Sequence, residues 1–249
     1  MRKYVYDLRY EIDKTEWRSR AKRDLVYTFW EKYCSSSTHR NVQYLDVGCG
    51  TGVLQEEFEQ RYPGITAYGI DMMKEAIDYC KKRGLDRAIL YDGCTIPFKD
   101  GELDLITAID VLEHIEDDIY SLKEIKRVLK KDSLAIFIVP AHMALHSTRD
   151  IKLEHYRRYE DNELERKCEA TGFRVMTSKN VDFSLYFVLR LLCKMTPRNS
   201  DGVPELGMEA VQAPWLLNEI MYGYEYLENT WLRFANFPIG ISKLVVVKS

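Results

Sequence analysis

No Cys-x-x-Cys pair occurs among the six cysteines, at positions 34, 49, 80, 94, 168 and 193. Such scatter excludes a zinc ribbon and a disulfide frame, and it is the usage of a reducing compartment. No apolar run reaches the ~20 residues that a spanning helix needs. The nearest, 183–193, contains Arg190. Residues 1–23 are charged throughout, without the apolar core of a signal peptide. A cytoplasmic location is therefore the expectation. Charge of one sign is also missing: the formal net charge is −3, so nothing draws the chain as a whole to nucleic acid. There is no internal repeat, no low-complexity tract and no residue pattern that indicates an oligomeric state. What remains, 249 residues with 46% hydrophobic and 30% charged, is enough for one α/β domain with additions.

Strand and helix patterns alternate through the middle of the chain. The periodicities predict strand 42–47, helix 53–61, strand 65–70, helix 73–83, strands 88–92 and 103–109, helix 117–130 and strand 134–139. This alternation implies a doubly wound, mostly parallel sheet of seven strands with helices on both faces. Residues 1–35 read as helical, broken by Ser35-Ser36-Ser37-Thr38. After Pro140 the pattern loosens, with a helix at 161–170, a strand at 173–181 and a last strand at 241–248. Residues 182–240 exceed an ordinary connection and hold an apolar helix (183–195), a Pro/Gly-containing loop (197–207) and an aromatic-rich helix (208–234). The chain thus divides into an N-terminal helical cap (1–40), a core (41–140) and a second half (141–249) carrying the helical insert. The insert is either a lid over a substrate or a packing layer. Its Phe183, Tyr186, Phe187, Trp215, Tyr222, Tyr224, Tyr226 and Trp231 suit either role.

The most informative segment is Tyr44-Leu45-Asp46-Val47-Gly48-Cys49-Gly50-Thr51-Gly52. A buried strand runs into glycines at every second position, where the backbone turns tightly and a ligand can lie against bare peptide. The third glycine comes one residue earlier than in the dinucleotide fingerprint, and Asp46 at the strand end would repel a pyrophosphate. The carboxylate suits a ligand with a positive amino group and no phosphate, such as S-adenosylmethionine. Further acids end the following strands. Asp71, with Met72 beside it, is placed to accept ribose hydroxyls, and Asp92, in Asp92-Gly93-Cys94, to meet an adenine amino group or to form a turn. Asp110 closes the fourth strand, ahead of Val111-Leu112-Glu113-His114.

In these residues the chain resembles the class I S-adenosylmethionine-dependent methyltransferases over roughly residues 42–140. Within them it is similar to a bacterial and archaeal small-molecule group (methyltransferase type 11/12-like), through Arg18-Ser19-Arg20, Val111 to His114 and His155-Tyr156-Arg157-Arg158-Tyr159. The resemblance implies S-adenosyl-L-methionine as cofactor, with S-adenosyl-L-homocysteine as product. It implies a cofactor site built from Arg18, Asp46, Gly48, Cys49, Gly50, Gly52, Asp71, Met72, Asp92, Gly93, Cys94, Asp110 and Leu112. Arg18 or Arg20 would pair with the cofactor carboxylate, or simply lie on the surface.

Four of the five histidines (114, 142, 146 and 155) follow the fourth or fifth strand, at the edge where a doubly wound sheet opens its crevice. His114 is the first candidate for a base or substrate-orienting group, and His155 the second. Arg157 and Arg158 either hold an acidic substrate group or pair with nearby acids. Asp110-x-x-Glu113-His114 is similar to the E-x-x-E-H segment of ubiquinone-pathway O-methyltransferases and small-RNA 2′-O-methyltransferases, where it binds a divalent cation. His142 and His146 could complete such a site. The leading Asp is shorter than Glu, and the expectation is a site without metal. The function so implied is methyl transfer to an O or N of a small molecule, namely a sugar, lipid-linked or quinone-like metabolite. The alternatives are an RNA or protein methyltransferase, or a non-catalytic cofactor-binding scaffold. Strand four ends Ala108-Ile109-Asp110-Val111, not with the N/D-P-P-Y/F segment of nucleobase amino methylation.

Overall fold

The computed structural model describes residues 3–34, 41–206 and 213–249. Seven strands, β1 (Val42–Val47), β2 (Ile65–Asp71), β3 (Ala88–Leu90), β4 (Leu103–Ile109), β5 (Leu129–Pro140), β6 (Arg174–Val181) and β7 (Ser242–Lys248), form one sheet in the order β3-β2-β1-β4-β5-β7-β6. Only β7 runs against its neighbours β5 and β6; the other pairings are parallel. The strand order reverses between β1 and β4, which opens a crevice beyond their carboxyl ends. The register sets Asp46 opposite Gly69 on one side and Thr107 on the other.

Each strand residue serves one of two packed faces. Leu45, Val47, Ile106 and Phe137 meet α5 (Asp118–Val128) through Leu122 and Ile125, and α7 (Glu163–Ala170) through Leu164. Tyr44, Ala67, Leu105 and Ile136 meet Phe58 of α3 (Val53–Arg61) and Leu25, Val26, Phe29 and Trp30 of α2 (Trp17–Tyr33). Burial on both faces explains why these strands read as continuous apolar runs. α4 (Lys74–Lys82) covers the β2–β3 end through Ile77 and Cys80.

The N-terminal segment is two helices, not the single one expected. α1 (Lys3–Ile12) ends in a turn, and the Glu16 side chain then accepts the Ser19 N–H at 2.7 Å to start α2. Asp13 in that turn accepts the Thr51 hydroxyl at 2.8 Å, so the break leans on the glycine turn. β5 starts at Leu129, earlier than expected, because Leu129 pairs with Leu103. The short α6 (Thr148–Lys152) has a capping box from Ser147 and Asp150. The insert supplies α8 (Phe183–Met195), as expected, and α9 (Trp215–Leu232). The expected break at 35–38 and part of the expected helix start at 208–212 lie outside the described residues. α9 lies along α2: Asn229 donates to the Ala21 carbonyl at 3.1 Å, Arg20 pairs with Glu219 at 2.7 Å, and Tyr222 donates to Asp24 at 2.6 Å. Among the described residues no helix is long and apolar enough to cross a membrane.

Candidate functional site

β1 delivers Asp46 to the crevice, and the chain then turns through glycines. Gly48 has φ +69°, and a Cβ there would come within 2.4 Å of Val111 Cγ2. Only glycine lets this turn press against the tip of β4. Asp46 is buried and accepts the Thr107 hydroxyl at 2.6 Å. Burial pushes its carboxyl up, the Thr107 hydrogen bond opposes that, and the nearby Asp71 charge adds to it; the result is about 7. Asp71 accepts the Gly50 N–H at 3.0 Å and the Met73 N–H at 2.8 Å, one on each oxygen. Burial raises its pKa as well, against those two hydrogen bonds. Neither acid has an ion-pair partner among the described residues. A carboxylate offers about four lone-pair sites, so Asp71 keeps capacity for two more donors.

These groups line a cavity of about 1130 Å³. Its other walls come from Tyr6 and Arg9 of α1, Arg18 and Lys22 of α2, the β4 tip, α6 with the segment behind it, and Leu189 and Leu192 of α8. The volume lies just above the ~300–1,000 Å³ of a typical ligand pocket. Asp110, in the left-handed region at φ +52°, is paired with the ammonium of Lys22. Burial opposes ionisation of Asp110, yet Lys22 and Arg18 hold its carboxyl below the usual range.

On the far side stand Glu113, His114 and His155. Glu113 is wholly buried, with neither carboxylate oxygen hydrogen-bonded. Burial, then the Asp110 charge, pushes it well above the usual carboxylate range. The His114 and His155 rings meet edge to face, centroids 4.6 Å apart. Burial and the neighbouring His155 lower His114 to about 4. His155 Nδ1 lies 3.1 Å from Asp150, which also accepts from Arg158 Nε at 2.8 Å. Despite burial, those two partners hold Asp150 well below the carboxylate range. A carboxylate can only accept, so Nδ1 is the ring nitrogen that donates to Asp150, and Nε2 lies 4.0 Å from Glu113. One ligand atom each from Glu113, His114 and His155 fall within 4.8 Å of one another, a set that could hold a cation.

The cavity unites Arg18, Asp46, Gly48, Cys49, Gly50, Asp71, Met72, Asp110, His114 and His155 of the sequence-derived residues. It leaves five others off its walls. Gly52 packs on Leu85 and Cys80 at the start of α3, and Leu112 sits in the core. Asp92 is exposed and accepts the Cys94 and Thr95 N–H groups, which is the turn role; Gly93 packs against Met72, and Cys94 is exposed. Arg18 is committed to Asp182 at 3.0 Å and Arg20 to Glu219. Arg157 pairs with Asp118 at 3.2 Å, and the Tyr159 hydroxyl donates to Asp118 at 2.8 Å, so the pairing alternative for that segment is the one observed. His142 faces Glu160 and Tyr186, and it is His155, not His142 or His146, that joins Glu113 and His114. Tyr6, Arg9, Lys22 and Arg149 line the cavity without having been anticipated.

Residues 45–137 match the methyltransferase domain family model. Over those residues the chain carries a methyltransferase domain, similar to that of the class I S-adenosylmethionine-dependent methyltransferases. Among curated methyltransferases, it is 30% identical over 108 residues to norajmaline N-methyltransferase of Rauvolfia serpentina, covering 41% of this chain and 37% of that protein. It is 30% identical over 103 residues to ubiquinone biosynthesis O-methyltransferase of Actinobacillus pleuropneumoniae, covering 37% and 43%. The chain thus spans less than half the length of these relatives. The fold is that of solved methyltransferases. One from Haloferax volcanii, in complex with the Trm112 methyltransferase activator, aligns with TM-score 0.58 at 16% identity over 98% of this chain and 96% of that one. One from Aquifex aeolicus aligns with TM-score 0.55 at 19% identity over 73% and 93%.

Proposed function

We propose that the chain transfers a methyl group from S-adenosylmethionine to an oxygen or nitrogen of a small-molecule acceptor. The observation that carries this reading is the single cavity joining the glycine turn, Asp46 and Asp71 to the His114–His155 pair. The donor set fits the cofactor: a buried acid without a cation for its ammonium, and a second acid with spare acceptor capacity for a ribose diol. When bound, the cofactor supplies a methyl carbon already activated by its sulfonium.

The chain's own residues hold, orient and move a proton. Asp46 and the Gly48–Gly50 backbone take the amino acid end. Arg9, which lines the cavity and has no ion pair among the described residues, takes the carboxylate in place of Arg18. Met72 and Tyr91 flank the adenosine. Nε2 of His155, whose Nδ1 is held by Asp150, withdraws the proton from an acceptor hydroxyl as the new bond forms, or from an ammonium before its nitrogen attacks. His114, neutral because its pKa is lowered, orients the acceptor. Leu189, Leu192 and Leu206 keep that end of the cavity apolar and help exclude water. This lining favours sugar, lipid-linked or quinone-like acceptors with apolar parts, and the insert 182–240 with the N-terminal cap serves as the lid. The six cysteines form no disulfide, which fits a cytoplasmic site of action. The deciding experiment is titration of the purified chain with S-adenosylmethionine, followed by an acceptor panel read out as S-adenosylhomocysteine formed. No uptake of the cofactor would end this reading.

A further inference from the structure

The insert helices show solvent a face unlike that of an ordinary surface. On α9, Leu216, Ile220, Leu227 and Trp231 are 62%, 58%, 69% and 55% exposed, and Phe234, in the turn just after it, is 84% exposed. Their spacing places them along one stripe of the helix. The acids of α9 are elsewhere: Glu219 pairs with Arg20, while Glu225 and Glu228 are buried. On α8, Phe187, Val188, Leu191 and Met195 are 56%, 55%, 57% and 73% exposed. The two helices are tied together, since Glu228 accepts the Phe183 and Ser184 N–H groups at 3.0 and 3.2 Å. Exposed apolar side chains at this density mark an interaction surface.

Along α8 and just beyond it the charges are of one sign. Residues 183–200 contain Arg190, Lys194 and Arg198 and no acid. Arg190 and Arg198 donate to backbone carbonyls, and none of the three pairs with a carboxylate among the described residues. Asp201, Glu205 and Glu209 follow them in the sequence, ahead of α9. The apolar face is also continuous with the cavity: Leu192 is 47% exposed to solvent and at the same time lines the cavity.

We infer that the outer face of α8 and α9 docks on an anionic lipid bilayer, lying on it without spanning it. Apolar side chains enter the headgroup boundary, Trp231 sits at the interface, and the three cations meet lipid phosphates. A second copy of the chain fits less well, because a two-fold interface on this face would bring the uncompensated cations of α8 toward one another. The inference deepens the proposed function, and rests on it in one respect: the acceptor is a lipid-phase molecule that reaches the cavity past Leu192.

Docking is measured separately from methyl transfer, so the two readings can fail separately. The full chain is sedimented with vesicles of equimolar phosphatidylcholine and phosphatidylglycerol, and with vesicles of phosphatidylcholine alone. Binding is expected to the mixed vesicles, to weaken in high salt, and to be far weaker on neutral ones. The double variant Lys194→Glu with Arg198→Glu is expected to lose roughly 10-fold to 30-fold in partitioning, given the contribution of each surface cation. Leu227→Glu with Trp231→Glu is expected to lose binding at all salt concentrations. Unchanged circular dichroism and S-adenosylhomocysteine affinity show that both variants are folded. Three results overturn the inference: no binding of the unmodified chain to mixed vesicles, binding that neither double variant weakens, or a solution dimer that Leu227→Glu with Trp231→Glu dissociates.

Discussion

Asp46 is a buried acid with a hydroxyl beside it and no ion-pair partner among the described residues. Its pKa of about 7 gives cofactor binding a pH dependence of definite sign. Pairing with an ammonium requires the ionised form, so below about pH 7 a proton must leave as the cofactor enters. Affinity is expected to fall as the pH drops, approaching ~10-fold per unit. Calorimetry in two buffers of different ionisation heat should show proton release at about pH 6 and little at about pH 8. Equal proton exchange at both would remove Asp46 from the ammonium site. Asp71→Ala is expected to weaken cofactor binding by ~1–3 kcal/mol, because a charged acceptor is lost and the Gly50 and Met73 N–H groups lose their partner. At the acceptor end, His155→Gln should lower kcat by ~10²–10⁴ and leave cofactor affinity unchanged. His114→Gln should cost less, since a neutral orienting ring is replaced by a neutral hydrogen-bonding amide. Asp110, the first residue of the metal-like segment, is already neutralised by Lys22. Turnover is therefore expected to survive dialysis against EDTA. Its loss, restored by a divalent cation, would assign Glu113, His114 and His155 as ligands instead.

At the scale of elements, α8 begins with Asp182 in the left-handed region and takes its N-terminal cap from α9, through Glu228. Glu228→Ala should cost about 0.5–2 kcal/mol in urea unfolding, the range of a lost cap. A change within error would mean that Arg18, Asp182 and Ser242 suffice to place the helix. The capping acid is 45 residues from the N–H it serves, which is why no local pattern announces it. The same limit separates what was legible in the sequence from what was not. The strands could be read because β1, β4 and residues 134–140 of β5 are buried on both faces and are mostly apolar. The glycine turn and Asp71 could be read because local backbone geometry demands them. Lys22 could not: it is a lysine in a helix, buried only because Asp110, 88 residues on, meets its ammonium. Arg9 and Tyr6 were hidden because the break after α1 depends on Asp13 reaching Thr51, a contact between distant segments. Arg18 was legible as a basic residue but not as one already claimed by Asp182. Asp92-Gly93 carried two readings from the start, and the backbone N–H groups of Cys94 and Thr95 favour the turn.

For the whole molecule, the cavity walls come from segments far apart in the chain: α1 and α2, the β1 and β4 tips, α6 and α8. A ligand there bridges elements that also meet through the Asp13–Thr51 hydrogen bond and the Lys22–Asp110 pair. Binding to the folded state alone adds about 2.7 kcal/mol at a ligand concentration 100 times Kd. For a chain of this size each kcal/mol moves the melting temperature by ~2–4 °C. S-Adenosylhomocysteine should therefore raise Tm by ~5–10 °C, as read by calorimetric melting. Amide exchange should slow most in α1 and in the turn at 48–52, because those segments close over the ligand and leave a solvent boundary when it binds. Asp71→Ala should lose most of the Tm shift at the same ligand concentration, since the affinity behind it is gone. A full shift in that variant would place the ligand elsewhere in the cavity. Slowed exchange confined to α8 would do the same, and would move the adenosyl group from the glycine turn to the end lined by Leu189 and Leu192.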